Sequence, residues 1–146
     1  MSTANGSCLC GAIKVTVEGR PNKNFTCYCK DCRKGSGNTG QFMAVFKREA
    51  VTIIDPQLQL KTFTITKTKS GKPKDKLFCG QCGSTIGTIP MLHDGKVFNL
   101  RSSLIDSGFE MFQPNFPAGF REERESFFGP SFSEDPAFTL VRVVSQ

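Results

Sequence analysis

The sequence predicts a mainly β protein with little helix. Residues 13–18 alternate apolar and polar side chains, which is typical of a strand with one buried face. Several other short runs are rich in Val, Ile, Thr and Phe, and Gly, Pro or Asp residues separate them. A chain of 146 residues without repeats fits one domain, so we expect a single domain over residues 1–146.

The predicted elements follow in chain order. After residues 13–18, strands are expected at 41–46, 51–54, 58–66, 75–79, 84–89, 97–102 and 137–144. Asp55-Pro56 ends the third of these strands, and Asp106-Ser-Gly108 follows the seventh. Residues 113–120 form a predicted loop, and the charged stretch 120–128 predicts one short helix.

The net charge of +6 comes largely from residues 67–76, which contain five lysines. Ser-Gly and Lys-Pro in this stretch favour a solvated hairpin tip. A nucleic-acid patch or a site that attracts an anionic substrate are the alternatives. Because no aromatic residue alternates with the lysines, a stacking surface for single strands is not supported, and we expect no nucleic-acid partner.

The seven cysteines are predicted to bind metal rather than to form disulfides. An odd number of thiols cannot pair completely within one chain, and neighbouring cysteines would close small, strained rings. Residues 1–20 lack the apolar stretch of a signal peptide, and the longest apolar run, 42–46, is too short for a membrane span. We therefore expect a soluble, cytoplasmic protein, in a compartment where thiols stay reduced.

Zinc fits the spacing of these cysteines, because it favours tetrahedral thiolate coordination. A redox motif is the alternative for Cys79-Gly-Gln-Cys82, but no βαβ pattern surrounds it. Three of the seven thiols lie within six residues, which leaves four for a second ion. The expected ligand sets are Cys27, Cys29 and Cys32 for one zinc, and Cys8, Cys10, Cys79 and Cys82 for the other.

The four-cysteine site has no vacant position and is the structural candidate, whereas three protein ligands are typical of catalytic zinc. His93 is the one histidine and could close the second site. The alternative is that it lies exposed in a surface turn formed by Leu92-His-Asp-Gly95.

Three motifs together resemble the family of glutathione-dependent formaldehyde-activating enzymes, which also includes centromere protein V. They are Gly6-Ser-Cys-Leu-Cys-Gly-Ala12, Cys27-Tyr-Cys-Lys-Asp-Cys-Arg-Lys34 and Phe78-Cys-Gly-Gln-Cys-Gly-Ser84. The resemblance extends over about residues 6–128 and implies a β-tent fold. It also implies the same two zinc sites, one structural and one catalytic, with glutathione as co-substrate at the second. Family members often carry a tryptophan in the stretch matching residues 124–128, and this chain has none.

Three residues beside the cysteine cluster are candidates for further roles. Tyr28 could donate a proton, or could simply pack in the core. Arg33 and Lys34 could attract a glutathione carboxylate, or could be exposed charges that partly offset the thiolates. Phenylalanines could wall a pocket beside the metal or cover the core: Phe112, Phe116, Phe120, Phe127, Phe128 and Phe132.

The expected function is that of a zinc-dependent carbon–sulfur lyase or synthase acting on glutathione adducts, such as S-(hydroxymethyl)glutathione. One alternative is a related enzyme with a different thiol adduct as substrate. Others are a non-enzymatic zinc module for nucleic acid or chromatin, and a structural or zinc-carrying protein. A monomer and a homodimer are both compatible with the sequence.

Overall fold

The structure, a computed structural model, describes residues 2–112, with the backbone alone at Phe109 and Glu110. The predicted loop at 113–120, helix at 120–128 and strand at 137–144 lie outside the described residues, as do five of the six phenylalanines above. Within residues 2–112 the chain forms ten strands in two antiparallel sheets and one α-helix. The mainly β class with little helix is therefore confirmed.

The smaller sheet has four strands in the order β10-β1-β2-β5. Their bounds are Thr3–Ser7 for β1, Lys14–Glu18 for β2, Val51–Ile54 for β5 and Ile105–Ser107 for β10.

The larger sheet has six strands in the order β3-β4-β9-β8-β7-β6, so β3 and β6 are its two edges. The bounds are Lys23–Cys27 for β3, Gln41–Lys47 for β4, Leu60–Ile65 for β6, Lys74–Cys79 for β7, Thr85–Pro90 for β8 and Val97–Arg101 for β9. The α-helix α1 covers Lys30–Ser36, and 3₁₀ turns cover Arg48–Ala50, Met91–His93, Ser102–Leu104 and Phe109–Phe112.

The hydrophobic core lies between the two sheets. Val15 and Val17 of β2 and Phe98 and Leu100 of β9 are all almost fully buried in one cluster. Phe112 belongs to this core, with its ring centroid 6.0 Å from that of Phe46, and does not line the cavity described below. Because alternate residues of a strand face opposite sides, the outer face of the larger sheet remains for the functional site.

Sequence patterns missed three strands and the helix. Strand β1 reads Thr-Ala-Asn-Gly-Ser, in which only the small Ala4 and Gly6 face the core, so no large apolar residues alternate there. Strand β3 buries Asn24, whose amide donates to the Met111 carbonyl at 3.1 Å, in place of an apolar side chain. Strand β10 has three residues, and α1 has seven, so neither is long enough for a periodic pattern.

No helix in residues 2–112 has both the length and the apolar character that crossing a bilayer requires.

Candidate metal centres and the adjoining cavity

Four cysteines from two distant turns meet at one end of the fold. Cys8 and Cys10 follow β1, Cys79 ends β7, and Cys82 lies in the turn before β8. The Sγ atoms of Cys8 and Cys10 are 3.6 Å apart, those of Cys10 and Cys79 are 3.7 Å apart, and all four lie within 4.8 Å of one another. Tetrahedral zinc with bonds of 2.3 Å separates its sulfurs by about 3.8 Å, so this donor set suits zinc.

Ser84 links the two turns of the four-cysteine site. Its Oγ accepts a hydrogen bond from the Leu9 N–H at 3.1 Å and lies 3.2 Å from the Cys82 Sγ. The hydrogen bond with the Ser84 hydroxyl lowers the pKa of the Cys82 thiol to about 5, which favours the thiolate that a metal requires. On the other side, the Ile13 N–H donates to the Cys8 Sγ at 3.3 Å. Such donors orient metal ligands and stabilise their charge.

The other three cysteines cluster where β3 leads into α1. Cys27 is the last residue of β3, Cys29 caps the N-terminus of α1, and Cys32 lies in its first turn. The Cys32 N–H donates to the Cys29 Sγ at 3.4 Å, and the three sulfurs lie within 4.8 Å of one another. All three side chains are buried. Three thiols can hold a zinc ion and leave one coordination position for an exogenous ligand.

The three thiols of this cluster differ strongly in pKa. Hydrogen bonds from the Cys27 and Cys32 thiols lower the pKa of Cys29 to about 2, and the charge of Lys74 adds to this effect. The bond to Cys29 raises the pKa of Cys27 far above its usual value. For Cys32, the hydrogen bond with Cys27 lowers the pKa. The hydrogen bond with Cys29 and burial raise it by more, so the pKa of Cys32 is raised to about 11. Without metal, Cys29 is therefore the thiolate of the cluster.

Arg101, the last residue of β9, holds a buried positive charge beside these thiols. Its side chain is 2% exposed, and its Nε and Nη1 have no hydrogen-bond partner within residues 2–112. Burial lowers the pKa of the guanidinium, whereas the thiolate charges of Cys32, Cys27 and Cys29 raise it. A buried charge without a hydrogen-bonded carboxylate is costly unless other charges offset it, and the thiol cluster is the anionic group nearby.

A second cation approaches the cluster from β7. Lys74 Nζ lies 2.9 Å from the Asp31 carboxylate of α1, and both side chains are largely buried. Burial alone would lower the pKa of Lys74, but the hydrogen bond to Asp31 and the charges of Cys32 and Cys29 raise it above its usual value. This ammonium therefore stays charged next to the thiols.

The three cysteines open into a cavity of about 670 Å³ on the outer face of the larger sheet. The cavity extends from β3, which supplies Phe25 and Cys27, across β4, β9 and β8 to the turn between β6 and β7. Among the described residues its lining is strongly basic, with one carboxylate, that of Asp31. The lining lysines are Lys23, Lys30, Lys67, Lys69, Lys72 and Lys74.

Comparisons with known proteins identify the family to which the chain belongs. A family model described as glutathione-dependent formaldehyde-activating enzyme matches residues 3–122. The chain belongs to this family. A crystal structure of a Rhodobacter sphaeroides protein is similar to this fold, with a TM-score of 0.60 and 16% sequence identity, over 78% of this chain and 98% of that one. No curated protein sequence matches the chain significantly.

In this member of the formaldehyde-activating family, each of the two predicted cysteine sets forms its own cluster. The structure places His93 at the cavity lining, exposed in a 3₁₀ turn, but its ring nitrogens are not among the donor atoms that cluster with Cys27, Cys29 and Cys32. The prediction of a surface turn is confirmed.

The other predicted site residues are not brought to the cavity. Arg33 and Lys34 lie in the last turn of α1, and neither lines the cavity. Tyr28 is 5% exposed and packs against Gly40, where an added Cβ would lie 2.8 Å from the Tyr28 Cδ1.

Sequence reasoning missed three residues beside the thiols of this family member, Arg101 and the paired Lys74 and Asp31. Alternation along β9 carried a signal for the first. Phe98 and Leu100 are apolar core residues, so Asn99 and Arg101 had to face the opposite side of the sheet. The predicted solvated hairpin tip in residues 67–76 is confirmed, because the turn joins the antiparallel strands β6 and β7 and Lys67, Lys69 and Lys72 are exposed. The structure also places four lysines of this stretch in the cavity lining.

Proposed function

We propose that the protein is a zinc-dependent carbon–sulfur lyase, working in either direction on adducts of glutathione such as S-(hydroxymethyl)glutathione. The observation that carries this proposal is the cluster of Cys27, Cys29 and Cys32, three buried thiols that open into a large basic cavity. A closed structural site needs no such cavity, whereas a catalytic zinc site keeps one position open.

The two cysteine sets would each hold one zinc ion, and the two ions would have different roles. Cys8, Cys10, Cys79 and Cys82 would hold a structural ion that joins the first strand to the β7–β8 turn. Cys27, Cys29 and Cys32 would hold the second. There, bound zinc would supply a Lewis-acid position that lowers the pKa of a coordinating thiol.

The reaction forms or breaks one carbon–sulfur bond. In the synthetic direction the substrate sulfur adds to the carbonyl carbon of formaldehyde, and the proton of the thiol ends on the former carbonyl oxygen. The Lys74 ammonium, held by Asp31 beside the thiols, is placed to donate a hydrogen bond to that developing oxyanion. The buried Arg101, which does not line the cavity, would offset the negative charge of the cysteine ligands and is a positioning residue.

The cavity lysines are better placed than Arg33 and Lys34 to bind substrate carboxylates, because they line the space that the substrate would fill. Tyr28 is buried away from that lining, which favours a packing role over proton donation. A reducing compartment such as the cytoplasm suits seven free thiols and a thiol substrate.

Exchange between free and thiol-bound formaldehyde tests this proposal. Zinc-loaded protein, glutathione and ¹³C-formaldehyde are mixed, and NMR exchange spectroscopy measures the rates of adduct formation and breakdown. We expect the wild-type chain to accelerate both rates above the uncatalysed background, and Cys29→Ser to return them to background while keeping the four-cysteine zinc. Equal rates for the two proteins would exclude the lyase and favour a zinc-binding protein without this activity.

A further inference from the structure

The cavity that carries the lysines also contains a large apolar surface. Six of its lining side chains are apolar and come from β3, β4, β8, β9 and the 3₁₀ turn that follows β8. We call this set the apolar surface: Phe25, Met43, Val45, Pro90, Leu92 and Val97. The lining lysines come instead from the first residue of β3, from α1 and from residues 67–74. The cavity therefore offers both carbon surface and cationic groups to a ligand.

The apolar surface begins at the three cysteines. Met43 is 4% exposed and shares one buried cluster with the three thiols, and Phe25 packs against that cluster. Phe25 and Met43 are direct partners in the pairing of β3 with β4, so they form continuous carbon surface beside the thiols. A group attached to a sulfur at the cysteines is therefore placed next to these two side chains.

The apolar surface continues away from the cysteines across neighbouring strands. Val45 lies two residues after Met43 in β4, and both line the cavity. Val97 of β9 is the diagonal neighbour of Val45, whose direct partner is Asn99. The register of β8 with β9, continued by two residues, places Pro90 opposite Val97. The apolar side chains thus form one connected strip from the thiols to the end of β8.

This strip is open to a ligand. Leu92 is 53% exposed although it is a large apolar residue, and it lies in the cavity lining. Val45, Pro90 and Val97 are partly exposed. An apolar group that covers these side chains removes carbon surface from water, which favours binding.

Formaldehyde makes no use of the apolar surface. It adds one carbon and one oxygen to the sulfur and carries no side group. Glutathione is poorly suited to it, because carboxylate, ammonium and amide groups lose hydrogen bonds to water wherever they lie on carbon surface. An alkyl or aryl group on the carbonyl carbon gains free energy there and leaves the ionic half of the adduct to the lysines.

We infer that the carbonyl half of the natural adduct is an aldehyde with an apolar side group of several carbons, which binds against Met43, Val45 and Val97. The chemistry balances as it does for formaldehyde. The thiol sulfur bonds to the carbonyl carbon, the carbon–oxygen double bond becomes single, and the proton of the thiol ends on that oxygen. The inference rests on the proposed function in one respect, that the sulfur of the adduct lies at the three cysteines.

S-methylglutathione and S-butylglutathione are stable stand-ins for short and long adducts, because they carry the same charges and differ by three methylene groups. Isothermal titration of the zinc-loaded full chain would measure both. Burial of one methylene group corresponds to roughly a fourfold gain in affinity. We therefore expect S-butylglutathione to bind at least tenfold more tightly, and this preference to be the same at low and high salt, since charge screening affects both ligands equally. Equal affinities would overturn the inference.

Variants assign the preference to the apolar surface. Val45→Thr with Val97→Thr exchanges a methyl group for a hydroxyl at each position and keeps the β-branched shape that suits strands. We expect this pair to reduce the preference at least threefold. Ile54→Thr introduces the same residue at a half-exposed position of β5 outside the cavity and should not alter the preference. An equal loss in Ile54→Thr would show that the butyl group binds elsewhere and that the inference is wrong.

Leu92→Gln repeats the test without entering a strand. Because this side chain is half exposed in a turn, the substitution puts the fold at little risk. A urea titration shows which variants keep the wild-type stability, and those variants are compared. A reduced preference in Leu92→Gln supports the inference, and an unchanged preference in both Leu92→Gln and the valine pair overturns it.

Adduct exchange separates this inference from the proposed function. If both hold, the wild-type chain accelerates exchange of the glutathione adduct of butanal, relative to its own background, at least tenfold more than that of formaldehyde. Acceleration for formaldehyde alone, with equal affinities for the two thioethers, would overturn the inference and leave the proposed function standing. A preference for S-butylglutathione that depends on Val45 and Val97, without accelerated exchange of either adduct, would overturn the proposed function and leave the apolar binding site standing.

Discussion

At the scale of single residues, Arg101 is the group that most distinguishes the three-cysteine site from a plain thiol cluster. Three thiolates and one zinc ion carry a net charge of −1, and the buried guanidinium would make the whole neutral. A neutral site accepts a further anionic ligand more readily than an anionic one does. The guanidinium lacks hydrogen-bond partners for Nε and Nη1 within residues 2–112, so little else in the described structure offsets its burial.

Replacing Arg101 should therefore affect metal binding more than the stability of the metal-free protein. We expect Arg101→Met to weaken zinc binding at the three-cysteine site by roughly tenfold, and the metal-free protein to unfold at a similar denaturant concentration, because the substitution removes both the cost of burying the guanidinium and its attraction to the Cys29 thiolate. Arg101→Lys, which keeps the charge, should retain most of the affinity. A chelator competition and a urea titration measure the two effects. Unchanged zinc affinity in Arg101→Met would contradict the role given to the guanidinium.

The pKa values of the thiols predict how zinc binding at this site depends on pH. Cys27 and Cys32 have raised pKa values and keep their protons at neutral pH, whereas Cys29, with a pKa of about 2, is already ionised. Binding must displace the protons of Cys27 and Cys32. The zinc affinity should consequently rise with pH, by roughly 10- to 100-fold per unit between about pH 6 and pH 8.

Proton release provides the check on this pH dependence. Calorimetry of zinc binding in buffers with different ionisation enthalpies counts the protons released, and Cys8→Ser, which disables the other site, isolates the three-cysteine cluster. About two protons per zinc are expected from this cluster. Release of none would contradict the assignment of Cys29 as the thiolate and of Cys27 and Cys32 as the protonated thiols.

At the scale of elements, the pairing of β1 with β10 positions the first two zinc ligands. Gly6 lies at an irregularity in this pairing, and a Cβ built on it would be 1.9 Å from the Leu104 carbonyl oxygen. That oxygen belongs to the backbone, so the strands would have to move apart. Since Cys8 comes two residues later, a shift of β1 would also displace the four-cysteine site.

Gly6→Ala should lower the free energy of unfolding by about 1–3 kcal/mol, the usual effect of forcing atoms into a closely packed position. We also expect it to reduce occupancy of the structural zinc, which metal analysis would detect. Gly35→Ala is the matched control, because its added Cβ would meet only the end of the Lys76 side chain at 3.5 Å and alanine favours the helix. Equal stability of the two variants would show that β1 and β10 separate without cost.

At the scale of the whole molecule, local patterns predicted the ligand sets but not the surroundings of the open site. The spacing of the cysteines, their odd number and their division into three and four led to both clusters without any structure. Strands with alternating apolar residues, such as β2 and β5, were also found this way. What escaped prediction depends on long-range placement: β3 buries an asparagine, and Lys74 meets Asp31 only because α1 folds back over the sheet.

The basic cavity is a product of that long-range placement. Lys23 on one sheet edge and Lys67, Lys69 and Lys72 in the turn at the other are separated by over forty residues in sequence, and each alone looks like an ordinary surface lysine. The sequence could therefore indicate a possible anionic ligand, but the structure is needed to bring the lysines and the thiols into one cavity.

The central claim is that the chain holds two zinc ions and that only the one at Cys27, Cys29 and Cys32 takes up a thiol. Native mass spectrometry of the zinc-loaded protein, before and after addition of glutathione, tests it most directly. We expect two zinc ions per chain and one bound thiol in the wild-type protein, and one zinc ion with no bound thiol in Cys29→Ser. A single zinc ion in the wild-type chain, or a thiol that remains bound in Cys29→Ser, would contradict it.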